Sequence, residues 1–203
     1  MRVPAEEFRA LDLEVHAFLA DVALHDVSAV DLPGGGPGRS ISDVRALLSA
    51  DGARTLSVPV RILFALRLRL GRWFGWDRTT HEPAALSYVE KLSDDQRERS
   101  IAEPGSADGI FRLLYLFPDE ALGEVRNATV HAFSCMTIQP TASGYRFYWA
   151  IYVKNVSWLT PVYMALIEPF RRFVVYPAIL RRLRSSWIVA YSSRERGEGE
   201  GER

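Results

Sequence analysis

Cysteine, lysine and net charge are what this sequence has least of. Cys135 is the only cysteine, so no disulfide forms within the chain and the fold does not depend on an oxidising compartment. Lys91 and Lys154 are the only lysines among 25 basic residues, which leaves 23 arginines. A GC-rich coding bias accounts for that preference. The 25 acidic residues cancel the basic ones to a formal net charge of zero. A nucleic-acid binder needs surplus cations to displace counterions from phosphates, so that class is set aside. Long apolar runs are also missing. A membrane-spanning helix needs about 20 consecutive apolar residues. In WLTPVYMALIEPFRRFVVYPAILRRLRSSW (158–187) the charges of Glu168, Arg172 and Arg181 cut every run short, and each arginine at mid-bilayer would cost roughly 2.5–3.5 kcal/mol. The first 22 residues carry acids and no continuous apolar stretch, so no secretory leader is expected and cytoplasmic residence is.

What is present is an ordinary globular balance. The chain has 203 residues, 48% hydrophobic and 25% charged, enough for one domain with extensions. We expect an N-terminal arm over 1–24, a domain over 25–190 and a disordered Gly/Glu tail over 191–203. HDVSAVDLP (25–33) alternates as a strand, and GGGPG (34–38) ends it. SISDVRALLSAD (40–51) predicts a helix opened by a Ser40–Asp43 capping box, and 57–77 a second, apolar, arginine-bearing helix. Residues 81–92 fit helix or strand equally. Ser93 and Gln96 form another capping box before a short helix. Residues 111–117, 121–138 and 145–155 read as an antiparallel meander, with Tyr145, Phe147, Trp149, Ile151 and Val153 on one face of the last strand. From Thr160 to about residue 186 the spacing predicts one long amphipathic helix, kinked at Pro169 and Pro177. Val162, Leu166, Phe170, Phe173 and Val174 form its apolar stripe. Segregated helices and antiparallel strands make the fold class α+β, with one core.

Chemistry-bearing residues are sparse. GGGPGRS (34–40) lies where a phosphate loop would, but Pro33 stands in place of the first glycine and Arg39 in place of the lysine. A plain β-to-α connection is the better reading. His131 and Cys135 face the same way on a strand but lie roughly 13 Å apart, too far for a nucleophile and its base. No spacing supplies further metal ligands, so neither metal nor cofactor is expected. Asp119, Glu120 and Glu124 read as a solvated turn salt-bridged to Arg126. The arginines at 61, 67, 69 and 72, and at 171, 172, 181, 182 and 184, would make a basic patch for anionic lipid heads if the two helices adjoin.

The order of elements resembles the helix-grip fold of the START and polyketide-cyclase (SRPBCC) superfamily, in which a curved antiparallel sheet wraps a long C-terminal helix. Closer still, DVRALL (43–48), ALRLRLGRWFGWD (65–77), FRLLYLFPDEALGEVRNATVHAF (111–133), YRFYWAIYVKNVSWLTPVYMALIEPFRR (145–172) and VYPAILRRL (175–183) are similar to a family of uncharacterised bacterial proteins of that class. Related domains there are fused to short-chain dehydrogenase, NmrA-like domains, which makes an oxidoreductase a candidate partner by family analogy. The resemblance implies a fold and a hollow between sheet and helix, not a reaction. The expected function is non-catalytic binding of an apolar small molecule or lipid in that hollow. A cyclase- or aromatase-like enzyme and a peripheral membrane or partner-docking module are the alternatives. The expected wall is Phe147, Trp149 and Ile151 from the last strand and Leu166 and Phe170 from the helix, with Phe64 and Leu68 closing one end. His131 would orient the ligand if it points inward, which strand parity leaves open.

Overall fold

Apolar alternation and turn-forming breaks lay out the chain in the order read from the sequence. The computed structural model describes residues 1–50, 87–126, 130–155, 165, 168–169 and 171–192. Within them lie α1 (Ala5–Arg9), α2 (Glu14–Phe18), β1 (Ala23–Pro33), α3 (Ile41–Ala50), a 3-10 turn (Tyr88–Lys91), α4 (Asp94–Arg99), β2 (Ala107–Asp108), β3 (Phe111–Leu116), β4 (Glu120–Arg126), β5 (His131–Thr141), β6 (Gly144–Lys154) and α5 (Tyr176–Trp187). The expected helix over 57–77, the start of the long helix at Thr160, residues 81–86 of the ambiguous stretch, and the tail from 193 on lie outside the described residues.

The six strands form one antiparallel sheet in the order β1-β6-β5-β4-β3-β2. The class is therefore α+β, a six-stranded antiparallel sheet with a C-terminal helix. One expectation needs correction. Residues 121–138 are not one strand: β4 and β5 pair with each other, Arg126 opposite His131 and Glu120 opposite Thr137. The meander has one more hairpin than the hydrophobic pattern suggested, and β5 runs on to Thr141, leaving a two-residue turn before Gly144. Gly144 has φ 144, and a Cβ there would stand 2.3 Å from the Leu32 carbonyl oxygen. Only glycine lets β1 come that close to the hairpin.

Both faces of the sheet are covered, so the single core expected from the sequence is two apolar layers. On one face the odd-numbered side chains of β6 meet α3 and α5: Leu32, Ile41, Val44, Phe147, Leu180, Leu183 and Trp187 are buried together. Ile151, Val153 and Tyr176 extend that layer. On the other face Tyr148, Ala150 and Tyr152 of β6 are buried with Phe133, Cys135, Tyr115, Phe8 and Val15. The supposed N-terminal arm supplies that cover. Phe8 meets Tyr148 with ring centroids 6.2 Å apart, and Phe18 meets Tyr115 at 5.9 Å. This explains why β6 carries apolar side chains on both sides, a pattern suited to a strand with no wet face.

The helix ends follow their capping chemistry. At α4 the Ser93 backbone N–H donates to Gln96 Oε1 (2.9 Å), and the Gln96 N–H donates to Ser93 Oγ (3.1 Å), a complete capping box. At α3 only half of the box forms: the Ser40 N–H donates to Asp43 Oδ2 at 2.8 Å. Residues 171–175 form a π-helical turn directly before α5, with Pro177 in the first turn of α5. A proline lacks the N–H that an α-helix would bond to residue 173, so the widened turn replaces a sharp kink. Phe173 does not join the apolar stripe: it is 70% exposed. One extra residue per turn rotates it away from the sheet.

The C-terminal helix is seated on the glycine loop. Trp187 is fully buried, and its Nε1–H donates to the Pro33 carbonyl at 3.2 Å. Gly35 has φ 95, and a Cβ there would stand 2.8 Å from the Trp187 ring. Tyr145 Oη donates to the Gly36 carbonyl at 2.9 Å, and Tyr191 Oη donates to Asp43 Oδ1 at 3.2 Å. The loop's work is packing.

Candidate functional site

A strand edge and a helix that meet along part of their length leave a groove along the rest. Between β1 and residues 168–184 lies an open cleft of about 580 Å³. Its sheet wall is Asp26, Ser28 and Val30, which share a face by strand parity. Its helix wall is Glu168, Arg172, Tyr176, Leu180 and Arg184, the last three spaced four apart on α5 and therefore in one row, with Pro177 and Arg181 beside them. Met1 to Val3 close the edge. Ala29 N–H donates to the Met1 carbonyl at 2.7 Å, Val3 N–H donates to the Val27 carbonyl at 3.1 Å, and the Met1 amino group bonds the Ala29 carbonyl. This stub pairs the backbone groups that an edge strand leaves free.

Charge is unevenly held around the cleft. Arg171 Nη2 lies 3.0 Å from Asp26 Oδ2, and its Nε–H donates to Tyr176 Oη at 2.7 Å. Burial pushes the Asp26 carboxyl above its ordinary value, and Arg171 opposes that shift. Burial likewise pushes the Tyr176 phenol upward. Arg146 reaches Asp31 Oδ1 (2.9 Å) and Glu7 Oε1 (2.8 Å). Among the described residues Asp26 Oδ1 and Arg146 Nε are buried without a hydrogen-bond partner.

On the opposite face of the sheet two of the acids form a second polar region: Asp119 is exposed as expected, but the solvated turn is overturned for Glu120 and Glu124. Glu120 and Glu124 are 2% and 5% exposed. Lying four apart on β4 they point the same way, into the layer under the N-terminal helices. Glu120 accepts hydrogen bonds from the Glu14 and Val15 N–H groups (2.9 and 3.0 Å) at the start of α2, and from the Tyr115 hydroxyl. Burial raises its pKa to about 7 despite these donors. Glu124 accepts from the Tyr88 N–H (3.1 Å), the Ser87 hydroxyl and His131 Nε2 (3.0 Å). Burial pushes its pKa up, but His131, Ser87 and the Tyr88 amide outweigh it and hold the pKa below the ordinary value. The side chain that meets Glu124 from β5 is His131, in place of the expected Arg126. Cys135 Sγ lies 3.9 Å from Glu120 Oε1, and burial pushes its thiol well up, so it stays protonated. These groups are spent on docking: each carboxylate ties a segment from elsewhere in the chain to the sheet.

Four of the residues expected to line a hollow lie within the described residues, three on the helix side of the sheet and one on the other. Phe147 is fully buried under α5, and Ile151 is buried against Tyr176. Trp149 lies half-buried with its ring 5.1 Å from Tyr176, and its Nε1–H donates to Ser134 Oγ at 2.8 Å. These three stand together on the helix side. His131 lies on the other face, its ring 4.5 Å from that of Phe133. Phe64, Leu68, Leu166 and Phe170 lie outside the described residues. The β1 wall went unread in the sequence, although Asp26, Ser28 and Val30 share a parity that was there to find. Among the described residues no group of three or more His, Cys, Asp or Glu is placed to hold a metal ion, and no helix is long and apolar enough to cross a membrane.

Sheet, C-terminal helix and marginal cleft define an α+β protein with an open groove at a sheet edge. The family model described as "Protein of unknown function (DUF2867)" matches residues 18–178, and the chain belongs to that family. No curated protein and no solved structure matches it.

Proposed function

We propose that the protein is a non-catalytic binder of an apolar small molecule or lipid, held where the sheet and its C-terminal helix part. The observation that carries this reading is the cleft of about 580 Å³ along β1, a size within the usual range of ligand pockets. Val30, Tyr176, Pro177 and Leu180 give it an apolar trough. Apolar contact there supplies affinity at about 25 cal/mol per Å² before the losses of binding. The helix-grip resemblance supports the same place, since that architecture leaves its hollow between sheet and C-terminal helix. The binding reading is favoured over a cyclase-like one because Glu120, Glu124, His131 and Cys135 sit on the other face and engage one another and the backbone. Cytoplasmic residence fits a buried, reduced Cys135.

The test is native mass spectrometry of the purified protein with extraction of any retained molecule, followed by titration with an apolar fluorescent probe. Val30→Trp, which fills the trough from the sheet side, is expected to abolish probe binding with little change in melting temperature. A wild type that retains nothing and binds no apolar probe overturns the proposal. The exposed Phe173 beside Arg172 favours the docking alternative in that event, and flotation with lipid vesicles would read it out.

A further inference from the structure

We infer that the occupant of the cleft carries a neutral hydroxyl, seated on Asp26 and Tyr176, with its apolar part along Val30 and Leu180. The inference rests on the binding reading above and adds the polar group of the ligand and its place. It starts from a β-bulge. Leu24 stands opposite Tyr152, but Asp26 stands opposite Ile151, so His25 is an extra residue in β1. Without it Leu24 and Asp26 would share a face. Leu24 packs into the layer under the N-terminal helices, whereas the bulge turns Asp26 to the helix side, where it lines the cleft with Ser28 and Val30. Bulges recur where a strand re-aims a side chain beside a site.

The carboxyl so placed is only half used. The Asp26 side chain is 9% exposed, and its Oδ2 takes Arg171 Nη2 at 3.0 Å. Its Oδ1 is buried and receives no donor among the described residues. The same Arg171 nitrogen donates to Tyr176 Oη, as does Arg171 Nε–H at 2.7 Å, so the phenol stands beside the carboxylate. Tyr176 accepts both bonds, and its own O–H proton meets no acceptor among the described residues. Ser28, 5% exposed and on the same wall, has a hydroxyl that bonds no described residue. An acceptor without a donor, next to a donor without an acceptor, is completed by a group that both gives and takes a hydrogen bond. A hydroxyl does so: it donates to Asp26 Oδ1 and accepts from Tyr176 Oη. An ether oxygen only accepts and would leave Asp26 Oδ1 unmatched. Charged groups fit less well, because both signs stand at this end. Asp26 and Glu168 would repel an anion, and Arg2, Arg171 and Arg172 would repel an ammonium.

Calorimetric titration of the full chain with 1-octanol, octyl methyl ether, octanoate and octylammonium tests the inference. Octanol is expected to bind about tenfold more tightly than the ether, the worth of one completed hydrogen bond to a charged acceptor, and more tightly than either ion. Asp26→Asn and Tyr176→Phe, each close in size to the residue replaced, should both bring the octanol-to-ether ratio toward one. A residue that only shapes the cleft would weaken the two ligands together and keep the ratio, so an unchanged ratio in both variants overturns the assignment. Should a variant fail to fold, the ratio measured on the wild type decides alone. Equal affinity for octanol and the ether, or tighter binding of octanoate or octylammonium, overturns the hydroxyl while the binding reading stands. No binding of any of these ligands overturns both.

Discussion

Glu120 carries the clearest consequence at the scale of single residues. Its native pKa of about 7 lies above its ordinary value of 4.5. Between those values the folded protein keeps a proton that the unfolded chain releases. Stability therefore falls as pH rises from about 4.5 to 7 and is level beyond. The shift corresponds to about 3 kcal/mol. Glu124 acts in the opposite sense, since its pKa is lowered: its contribution is present above the ordinary carboxylate value and is lost as pH falls through the native one. Denaturant unfolding of wild type and Glu120→Gln at pH 5 and pH 8 isolates the first effect. The wild type is expected to lose about 2.5 kcal/mol more than the variant between the two. Parallel pH profiles would show that the carboxyl is charged in the fold throughout. Nothing in the sequence marked these acids as buried. Charges beside a Pro–Asp turn are normally solvated, and only the docking of α2 and of residues 87–91 over β4 makes Glu120 and Glu124 interior.

Elements were legible where a local rule decides them. The Ser93–Gln96 box sits four residues from end to end and needs no tertiary partner, so it is readable directly. The two-sided burial of β6 was readable as two apolar sets by parity, although the nature of the second cover was not. The hairpin between β4 and β5 was missed because residues 125–130 contain neither glycine nor proline to mark a break. Arg126 and Asn127, a charged residue and a turn former, were its only punctuation. At this scale Trp187 is the largest side chain that anchors the C-terminal helix. Trp187 fills the space beside Gly35 and Tyr145, ring centroids 5.8 Å apart in the latter case. Trp187→Ala is expected to cost roughly 3–5 kcal/mol, and to raise amide hydrogen exchange first over 176–192. Uniform exchange across the chain would mean that the helix and the sheet open as one unit.

For the whole molecule, the segment read as an arm turns out to be a wall. Phe8, Val15 and Leu19 are buried against the sheet, but the stretch carrying them is short, broken by acids and without a long apolar face of its own. Its role is set by what lies beneath it, the Tyr148 and Tyr152 side of β6, and no local pattern reveals that. Removing residues 1–22 exposes this layer and leaves Glu120 and Glu124 without several of their donors. The truncated chain is expected to bind a hydrophobic dye and to aggregate or melt at least 10 °C lower. A truncated form that stays monomeric with an unchanged melting curve would mean that the second layer adds no stability.

The pairing of β1 with β6 has a further consequence, in time rather than in space. Ala23 lies opposite Val153, so the first strand to leave the ribosome waits for the last before it has a neighbour. At about 5–20 residues per second, that wait is on the order of ten seconds. During it β1 has an open edge on each side and neither apolar layer is complete. Partners so distant along the chain also make for slow folding once synthesis ends, since loop closure comes before the contacts that reward it. Newly made chains should therefore depend on holding chaperones more than a domain of this size with local pairing would, and refolding from denaturant should be slow and sensitive to protein concentration.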